Sequence, residues 1–181
     1  MELLYALLII LVLICLLAIV YIFYYNRLQD IKLKIDESEA IIDESIRNKY
    51  DNIVDVKTII NKLIKNNKIN FKDLDMLKEL NLSNFDLDRR LNEYMNLIEQ
   101  IINDYKTVKE NKELNEKLDE MERIDEKITS AKTFYNKYIT ESNELVRKFP
   151  SNIVAKFHNI QIKNFFDNKD MNDEDINDFK L

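Results

Sequence analysis

The sequence has no glycine, and it has only one proline, one cysteine and one histidine in 181 residues. Phosphate-binding loops, dinucleotide-binding fingerprints and nucleophile elbows all need glycine, because their backbone takes a positive φ or comes close to a ligand. A single cysteine and a single histidine also argue against the usual nucleophile–base pairs and against a zinc site. We therefore predict that the chain is not an enzyme, with no catalytic, cofactor-binding or metal-binding residues.

The net charge of −6 is unevenly distributed along the chain. Residues Asp167–Leu181 form an acidic tail with six acidic and two basic side chains, whereas the two signs nearly balance over Asn26–Phe166. A nucleic-acid-binding protein would show a strong basic excess on one face, so no nucleic-acid partner is predicted. The tail lacks the glycine of a calcium-binding loop and is predicted to be disordered.

A long uncharged segment extends from Leu3 to Tyr25. As a helix it would be roughly 34 Å long, which is enough to cross the hydrocarbon core of a bilayer. A cleaved signal peptide would need basic residues before the apolar segment and small residues after it, before the cleavage site. This chain has Glu2 before the segment and tyrosines at its end. Cys15 lies inside the segment and has no partner for an intramolecular disulfide. We predict a transmembrane anchor over residues 1–25.

Basic residues follow the apolar segment and none precedes it. Arg27, Lys32 and Lys34 stand shortly after Tyr25. The flank that is richer in Lys and Arg remains in the cytoplasm according to the positive-inside rule. We predict a single-pass protein of the cell membrane with its N-terminus outside and its C-terminal body in the cytoplasm.

After the anchor, apolar residues recur at intervals of three and four, which is typical of amphipathic helices. The first stripe consists of Leu28, Ile31, Ile35, Ile42, Ile46, Ile53, Ile60 and Ile64. No proline or glycine interrupts it, so the membrane helix is predicted to continue to about residue 65. The pattern then weakens, and only a short helix over Lys72–Leu80 is predicted before Asn84. The lysines of Lys57–Lys72 are interpreted as part of a solvated loop rather than a binding patch.

Two further long helices are predicted. The first is capped by Ser83 together with Asp86, and its apolar face extends to Tyr105. After a polar break at Lys106–Asn111, the last long helix covers Lys112–Lys148. Its apolar seam consists of two heptad series. These are Met121, Ile128, Tyr135, Ser142 and Phe149, and Ile124, Ala131, Tyr138 and Leu145.

These amphipathic helices must bury their stripes against each other, and no strand pattern competes with them. We predict an all-α fold, in which the transmembrane helix is continuous with a long antiparallel helical bundle over residues 26–166. The bundle would contain three long helices plus short ones. The coiled-coil seam is equally compatible with homo-oligomerisation, and both interpretations stay open.

The single proline, Pro150, follows the last long helix. Proline cannot continue a helix, and it biases Phe149 away from the helical conformation. We predict a corner at which Ser151 or Asn152 caps a short helix over Ile153–His158. Phe149 and the first residue of that helix are predicted to pack inward against the end of the bundle.

The remaining residues that could carry chemistry are interpreted structurally. His158 has no second histidine or cysteine nearby and is expected to be a partly buried packing residue. The acidic run Asp119–Glu126 lacks the histidines of a bundle di-metal site and is expected to be a solvated face. Asp125 is close to the seam and is expected to pair with a basic residue such as Lys49. Tyr135 is expected to be a core residue rather than part of a stacking platform.

Four segments carry a family resemblance: Tyr25–Leu28, Ser45–Val56, Glu126–Ile139 and Phe149–Ala155. In order and spacing they resemble proteins of the LemA family. The signature residues are Tyr25, Asn26, Arg27, Tyr50, Asp51, Tyr135, Asn136, Phe149, Pro150, Ser151 and Asn152. The chain departs from the family pattern at Val54, where proline is usual, and at Lys156 and Asn159, where glycine is often found.

The resemblance implies a bacterial single-pass membrane protein with a long helical bundle and no established enzymatic activity. Together with the composition, it favours a non-catalytic scaffold or interaction module that binds protein partners at the membrane. The alternative is a membrane-linked sensor whose bundle responds to a ligand or to stress.

Overall fold

The computed structural model describes residues 1–64, 71, 73–80 and 82–166. Over these residues the chain is α-helical and has no strand, which confirms the predicted fold class. The elements are α1 (Glu2–Leu63), a 3-10 helix (Asp75–Lys78), α2 (Asn84–Asp104), α3 (Lys106–Lys109), α4 (Lys112–Arg147) and α5 (Ser151–Phe157). The predicted acidic tail lies outside the described residues, and the predicted boundary between anchor and bundle stays a prediction.

The first helix, α1, is uninterrupted from Glu2 to Leu63, as predicted. Val54, where the LemA pattern has proline, is an ordinary helical residue. The predicted stripe is buried at every position: Leu28, Ile31, Ile35, Ile42, Ile46, Ile53, Ile60 and Ile64. By contrast, the residues before Tyr24 are exposed all round the helix, although nearly all of them are apolar. One helix therefore contains two regions of opposite burial.

The chain divides into two compact units, and α1 and α4 contribute to both. The terminal unit comprises Met1–Glu37 and the chain from Phe134 onward, and the central unit comprises Ser38–Thr133.

In the terminal unit, α1, α4 and α5 share a small apolar core. Its buried residues are Leu28, Ile31, Ile35, Ile139, Leu145, Val154 and Ala155. Tyr24, Tyr25, Tyr135 and Tyr138 pack against this core and are partly buried. Tyr135, predicted to be a core residue, is therefore partly buried at the edge of this core.

In the central unit, α1 and α4 are antiparallel. Three ion pairs connect them: Glu44–Lys127 at 3.7 Å, Lys49–Asp125 at 2.5 Å and Asp55–Lys117 at 3.0 Å. The residue numbers rise along α1 while they fall along α4, which fixes the antiparallel direction.

Two long helices of the central unit begin at polar caps. The N–H of Asp86 donates to Ser83 Oγ at 3.1 Å, and the Ser83 hydroxyl donates to the Asp86 carboxylate at 2.7 Å. The predicted cap of α2 is therefore confirmed. The start of α4 has a cap that we did not predict, because Asn111 Oδ1 accepts a hydrogen bond from the N–H of Leu114 at 2.8 Å.

The segment before α2 is less helical than predicted. The 3-10 helix Asp75–Lys78 is the helical element that the structure describes there. The Tyr50 hydroxyl of α1 donates to the carbonyl oxygen of the buried Leu74 at 3.2 Å and so anchors this segment. Of the basic run that was predicted to lie in a solvated loop, Lys57 and Lys62 belong to α1, so the prediction is wrong for these two. Lys57 forms an ion pair with Asp75 at 2.7 Å; Lys65, Lys68 and Lys72 lie outside the described residues.

The corner at Pro150 differs from the prediction in what it buries. Phe149 is 79% exposed and Ile153 is 48% exposed, so the predicted inward packing is wrong. Because α4 ends at Arg147, Phe149 no longer follows the helical register of the seam. Val154 occupies the core of the terminal unit instead.

The predicted cap of the short helix is also wrong. Pro150 occupies the N-cap position of α5 without a side-chain hydrogen bond, and the helix begins at Ser151. The buried Ser151 hydroxyl lies 2.7 Å from the carbonyl oxygen of Leu145 and 2.8 Å from that of Lys148. The hydroxyl has one proton and can donate it to the Leu145 carbonyl at the end of α4, while the Lys148 carbonyl also accepts the N–H of Asn152 at 2.8 Å.

The short helix α5 is followed by a left-handed residue, two positions after Phe157. Asn159 has φ of 51°, and asparagine tolerates this region better than most other residues. The N–H of Ile160 donates to Ala155 O at 2.9 Å, and that of Asn159 donates to Lys156 O at 3.2 Å. These bonds form a Schellman motif. The turn after α5 is thus made without the glycine that the LemA pattern often has at Asn159.

Candidate functional site

A lysine lies buried at the centre of the central unit. Lys49 is 1% exposed, because it occupies a position on the buried stripe of α1. Its Nζ lies 2.5 Å from Asp125 Oδ1, 2.6 Å from Asn92 Oδ1 and 3.5 Å from Asp88 Oδ1. These three oxygens match the three N–H groups of the ammonium. The predicted pairing of Asp125 with Lys49 is confirmed.

A second lysine completes the cluster. Lys132 Nζ lies 2.7 Å from Asp88 Oδ2, so Asp88 faces one ammonium with each of its carboxylate oxygens. Two lysines and two aspartates, Lys49, Lys132, Asp88 and Asp125, thus form a charge-balanced cluster that joins α1, α2 and α4. A buried charge is tolerated when it is paired and hydrogen-bonded. The cluster therefore connects the three helices through paired charges.

Two polar side chains beside Lys49 have no hydrogen-bond partner among the described residues. Ser45 lies one turn before Lys49 and Asn52 one turn after it, and both are buried. Ser45 Oγ and both side-chain amide atoms of Asn52 are unpaired. Buried polar atoms are usually hydrogen-bonded, and an unpaired one is destabilising. The two turns of α1 on either side of Lys49 therefore contain most of the buried side-chain atoms that lack a hydrogen-bond partner among the described residues.

Asn52 also lines a cleft of about 320 Å³ on the surface of the central unit. Lys117 bridges Asp55 and Glu120 there, with both carboxylates 3.0 Å from its Nζ. The hydrogen bond to Asp55 and then that to Glu120 raise the pKa of Lys117. Lys117, the cation among the described residues that line the cleft, is therefore paired with two carboxylates of the same cleft.

An open groove of about 800 Å³ lies between α2 and α4 in the central unit. Its apolar lining is formed by Met95, Ile102, Leu118 and Met121. Its acidic lining is formed by Glu99, Glu122, Asp125 and Glu126. The groove therefore combines an adaptable methionine-containing surface with negative charge.

The acidic run of α4 is a solvated face, as predicted, except at Asp125, which is partly buried and paired with Lys49. Asp119, Glu120, Glu122 and Glu126 are exposed. In the part of the chain that the structure describes, no three His, Cys, Asp or Glu side chains are grouped so that they could hold a metal ion.

In the terminal unit, two asparagines of α4 bind the segment that follows α5. Asn143 pairs with the backbone of Lys163 in both directions, with N···O distances of 2.9 Å. Asn136 Oδ1 accepts the N–H of Phe166 at 2.8 Å, and the Phe166 ring contacts Tyr135 edge-on. The family signature residues Tyr135 and Asn136 thus hold the last described residues against α4.

The single histidine lies at the end of α5. His158 is exposed rather than partly buried, so that prediction is wrong. Its Nε2 is 2.8 Å from the Tyr21 hydroxyl, and its ring centre is 4.7 Å from that of Tyr25. Its neighbours are tyrosine side chains of α1, and this contact places α5 beside the end of the apolar segment.

The family signature residues do not gather into one site. Tyr50 and Asp51 belong to the central unit, and the others belong to the terminal unit. Tyr50 anchors the 3-10 segment, whereas Asp51 is exposed and lines the same cleft as Asn52. Asn26 and Arg27 are exposed on α1, and Asn152 is partly buried on α5. These positions support separate packing and turn roles.

The sequence analysis missed three members of the buried cluster: Asp88, Asn92 and Lys132. Asp88 lies between Leu87 and Leu91 on the apolar face of α2, and a charged residue at such a position was the available signal. Lys132 gave no comparable signal, because it lies at the edge of the α4 seam next to Ala131.

The chain is thus an all-α protein in which one helix contains an exposed apolar segment. Among the described residues, α1 is the helix that is long and apolar enough to cross a membrane. The family model described as the LemA family matches residues 38–177, well over half of the chain. The chain belongs to the LemA family. The matched range includes three of the four segments that carry the resemblance, and Tyr25–Leu28 precedes it. Neither the curated proteins nor the solved structures include a match.

Proposed function

We propose that the chain is a non-catalytic membrane-anchored scaffold, held in the bacterial cell membrane by α1, that binds other proteins through its helical bundle. One observation carries the anchor. The segment Leu3–Tyr25 of α1 has no charged side chain, and its residues before Tyr24 are all exposed. Exposed apolar surface on this scale is unfavourable in water and matches the interior of a bilayer.

The charges that follow the apolar segment support a cytoplasmic body. Arg27 and Lys32 are exposed just beyond it. A hydrogen bond to Asp30 raises the pKa of Lys34, so this lysine keeps its positive charge. The positive-inside rule then places the region after Tyr25 in the cytoplasm.

The anchor is tested by placing carboxylates in the apolar segment of the full chain. The variant carries Leu8→Asp, Leu11→Asp and Ile14→Asp. The matched control carries three such changes at exposed apolar residues outside the segment, Leu33→Asp, Ile41→Asp and Met76→Asp. Each Asp near the centre of a span opposes insertion by about 2.5–3.5 kcal/mol. We expect the first variant to leave the carbonate-washed membrane fraction and the control to remain there. Membrane retention of both would refute the anchor.

The groove between α2 and α4 is the surface that we assign to a protein partner. Its apolar lining and its acidic side chains fit an amphipathic helix with a basic face. Methionines at such a surface adapt to more than one partner sequence, as Met95 can here.

Charge reversal tests this partner surface. Glu99→Lys with Glu122→Lys changes the lining of the groove, whereas Glu39→Lys with Glu113→Lys makes the same change at exposed sites elsewhere in the central unit. Proteins captured from detergent extracts should be lost with the first pair and kept with the second. Equal capture by both variants would contradict the assignment of the groove.

A sensor is the second candidate, and the incompletely satisfied core of the central unit favours it. Ser45, Lys49 and Asn52 are buried polar residues on α1, the helix that also contains the apolar segment. Fully hydrogen-bonded polar networks make a core rigid, whereas an unpaired buried polar group destabilises the packing that contains it. A chain with Cys15→Ser, Glu44→Cys and Lys127→Cys would report on the α1–α4 contact by cross-linking. A cross-linking yield that changes under envelope stress would favour the sensor, and a constant yield would favour the scaffold.

A further inference from the structure

The short helix α5 has large apolar side chains on the face opposite its core contacts. Ser151, Val154 and Ala155 are buried, whereas Ile153 is 48% and Phe157 is 76% exposed. Ile153 and Phe157 are one turn apart and share a face of the helix. The helix is therefore apolar on its outer side as well, which packing within the terminal unit does not require.

A third large apolar side chain, Phe149, stands two residues before α5 and is 79% exposed. Phe149, Ile153 and Phe157 together are called the α5 patch below. Exposed apolar patches of this kind mark surfaces that contact a partner or a membrane. The surrounding chain is basic: residues 147–166 include Arg147 and Lys156 and have no acidic side chain.

The position of α5 indicates which apolar surface it meets. His158 directly follows α5 and contacts Tyr21 and Tyr25 of α1. These tyrosines form the last turn of the uncharged segment. At 1.5 Å per residue, Tyr21 lies about 9 Å to the apolar side of Arg27. The end of α5 is therefore level with the boundary between the apolar segment and the first charged residue.

We propose that the α5 patch docks on the surface of the membrane that α1 crosses. Phe149, Ile153 and Phe157 enter the boundary between headgroups and acyl chains, and Arg147 and Lys156 contact anionic lipid headgroups. The inference rests on the proposed function, because it requires α1 to span the membrane. Helices that lie in a membrane interface are buried by about 5–10 Å, which agrees with the level of Tyr21.

Two observations favour lipid over a protein as the occupant of the patch. The contact between His158 and Tyr21 already holds α5 at the level of the interface, so the patch meets lipid as soon as α1 is inserted. The basic composition without acids complements anionic headgroups. Aromatic side chains are also favoured at this depth.

Tryptophan fluorescence in vesicles tests the docking. The chain has no tryptophan, so each substitution introduces a single fluorophore. The full chain carrying Phe157→Trp, Phe134→Trp or Leu11→Trp is inserted into vesicles of phosphatidylcholine and phosphatidylglycerol with brominated acyl chains. Phe134 is the matched control, because it is 54% exposed and lies on α4 about 20 Å along the helix from Arg147. Bromine should quench the Leu11→Trp and Phe157→Trp chains several-fold more than the Phe134→Trp chain.

The outcomes separate the docking from the anchor. Quenching of the Leu11→Trp chain without quenching of the Phe157→Trp chain overturns the docking and leaves the anchor intact. Absence of quenching in both refutes the anchor and the docking together. A Phe157→Trp emission that shifts to the blue with protein density but is insensitive to bromine would assign the patch to a second copy of the chain, and so overturn the lipid assignment.

A charge change tests the headgroup contact. Lys156→Glu in the Phe157→Trp chain should reduce quenching in vesicles with phosphatidylglycerol and have a smaller effect in phosphatidylcholine alone. An equal effect in the two lipids would refute the role of anionic headgroups. Both substituted side chains are exposed, so folding should be retained, and the circular dichroism spectrum checks it.

Discussion

Removing the carboxylate of Asp125 should destabilise the bundle more than removing the amine of Lys49, although the two groups form one ion pair. Lys49 is 1% exposed, and besides Asp125 it has Asn92 at 2.6 Å and Asp88 at 3.5 Å, so after Asp125→Ala we expect it to stay largely buried with these two contacts. Asp88 is shared with Lys132, which is closer to it at 2.7 Å. The change therefore leaves a buried cation that is incompletely paired.

The opposite change leaves groups that find other partners. After Lys49→Met, Asp125 can hydrate because its side chain is 41% exposed, and Asp88 keeps Lys132. Methionine fills most of the space of the lysine stem. Breaking a buried pair by removing one partner costs about 3–5 kcal/mol when the other is left without compensation. With the remaining contacts, we expect about 2–3 kcal/mol for Asp125→Ala and about 1 kcal/mol or less for Lys49→Met.

Urea unfolding of the full chain in a mild detergent, followed by far-UV circular dichroism, measures these losses. The double variant should lose about as much as Lys49→Met alone, because no buried cation remains once the lysine is gone. The coupling energy between the two sites would then equal the loss of Asp125→Ala alone, about 2–3 kcal/mol. A Lys49→Met loss that equals or exceeds that of Asp125→Ala, or additive losses in the double variant, would refute the reasoning.

Three further predictions concern the core, the corner and the topology. Asn52→Leu should raise the free energy of unfolding by about 1 kcal/mol, since it removes two unpaired buried groups, and a lower urea midpoint would contradict this. Phe149→Ala should change the free energy of unfolding by less than about 0.5 kcal/mol, because the ring is exposed. Ser151→Ala should lower it by about 1–2 kcal/mol, because a carbonyl oxygen at the end of α4 loses its hydrogen bond to the serine hydroxyl. Thermal unfolding that ranks them in the other order would show that the ring is buried. A reporter that is active only in the cytoplasm, fused after Leu181, should be active; an inactive but membrane-inserted fusion would reverse the topology.

Local periodicity was enough to predict the helices and much of the core. The stripe from Leu28 to Ile64 identifies the buried face of α1, since residues three and four apart share one side of a helix. The seam of α4 was predicted in the same way, except at Phe149. Ser83 was recognised as a cap because its partner lies three residues away. The Lys49–Asp125 pair could be proposed because both residues lie at or beside buried stripes.

Only the tertiary structure decided which residues meet from distant parts of the chain. Asp88 and Lys132 lie on different helices, and no local pattern reports a contact that depends on how those helices align. The exposure of Phe149 and Ile153 was not predictable for a related reason. Their apolar character is the same whether a neighbouring helix or a membrane covers them, and burial depends on the surface that the fold places opposite them. The sequence determines the chemistry of each helix face, and packing determines which faces are left for partners.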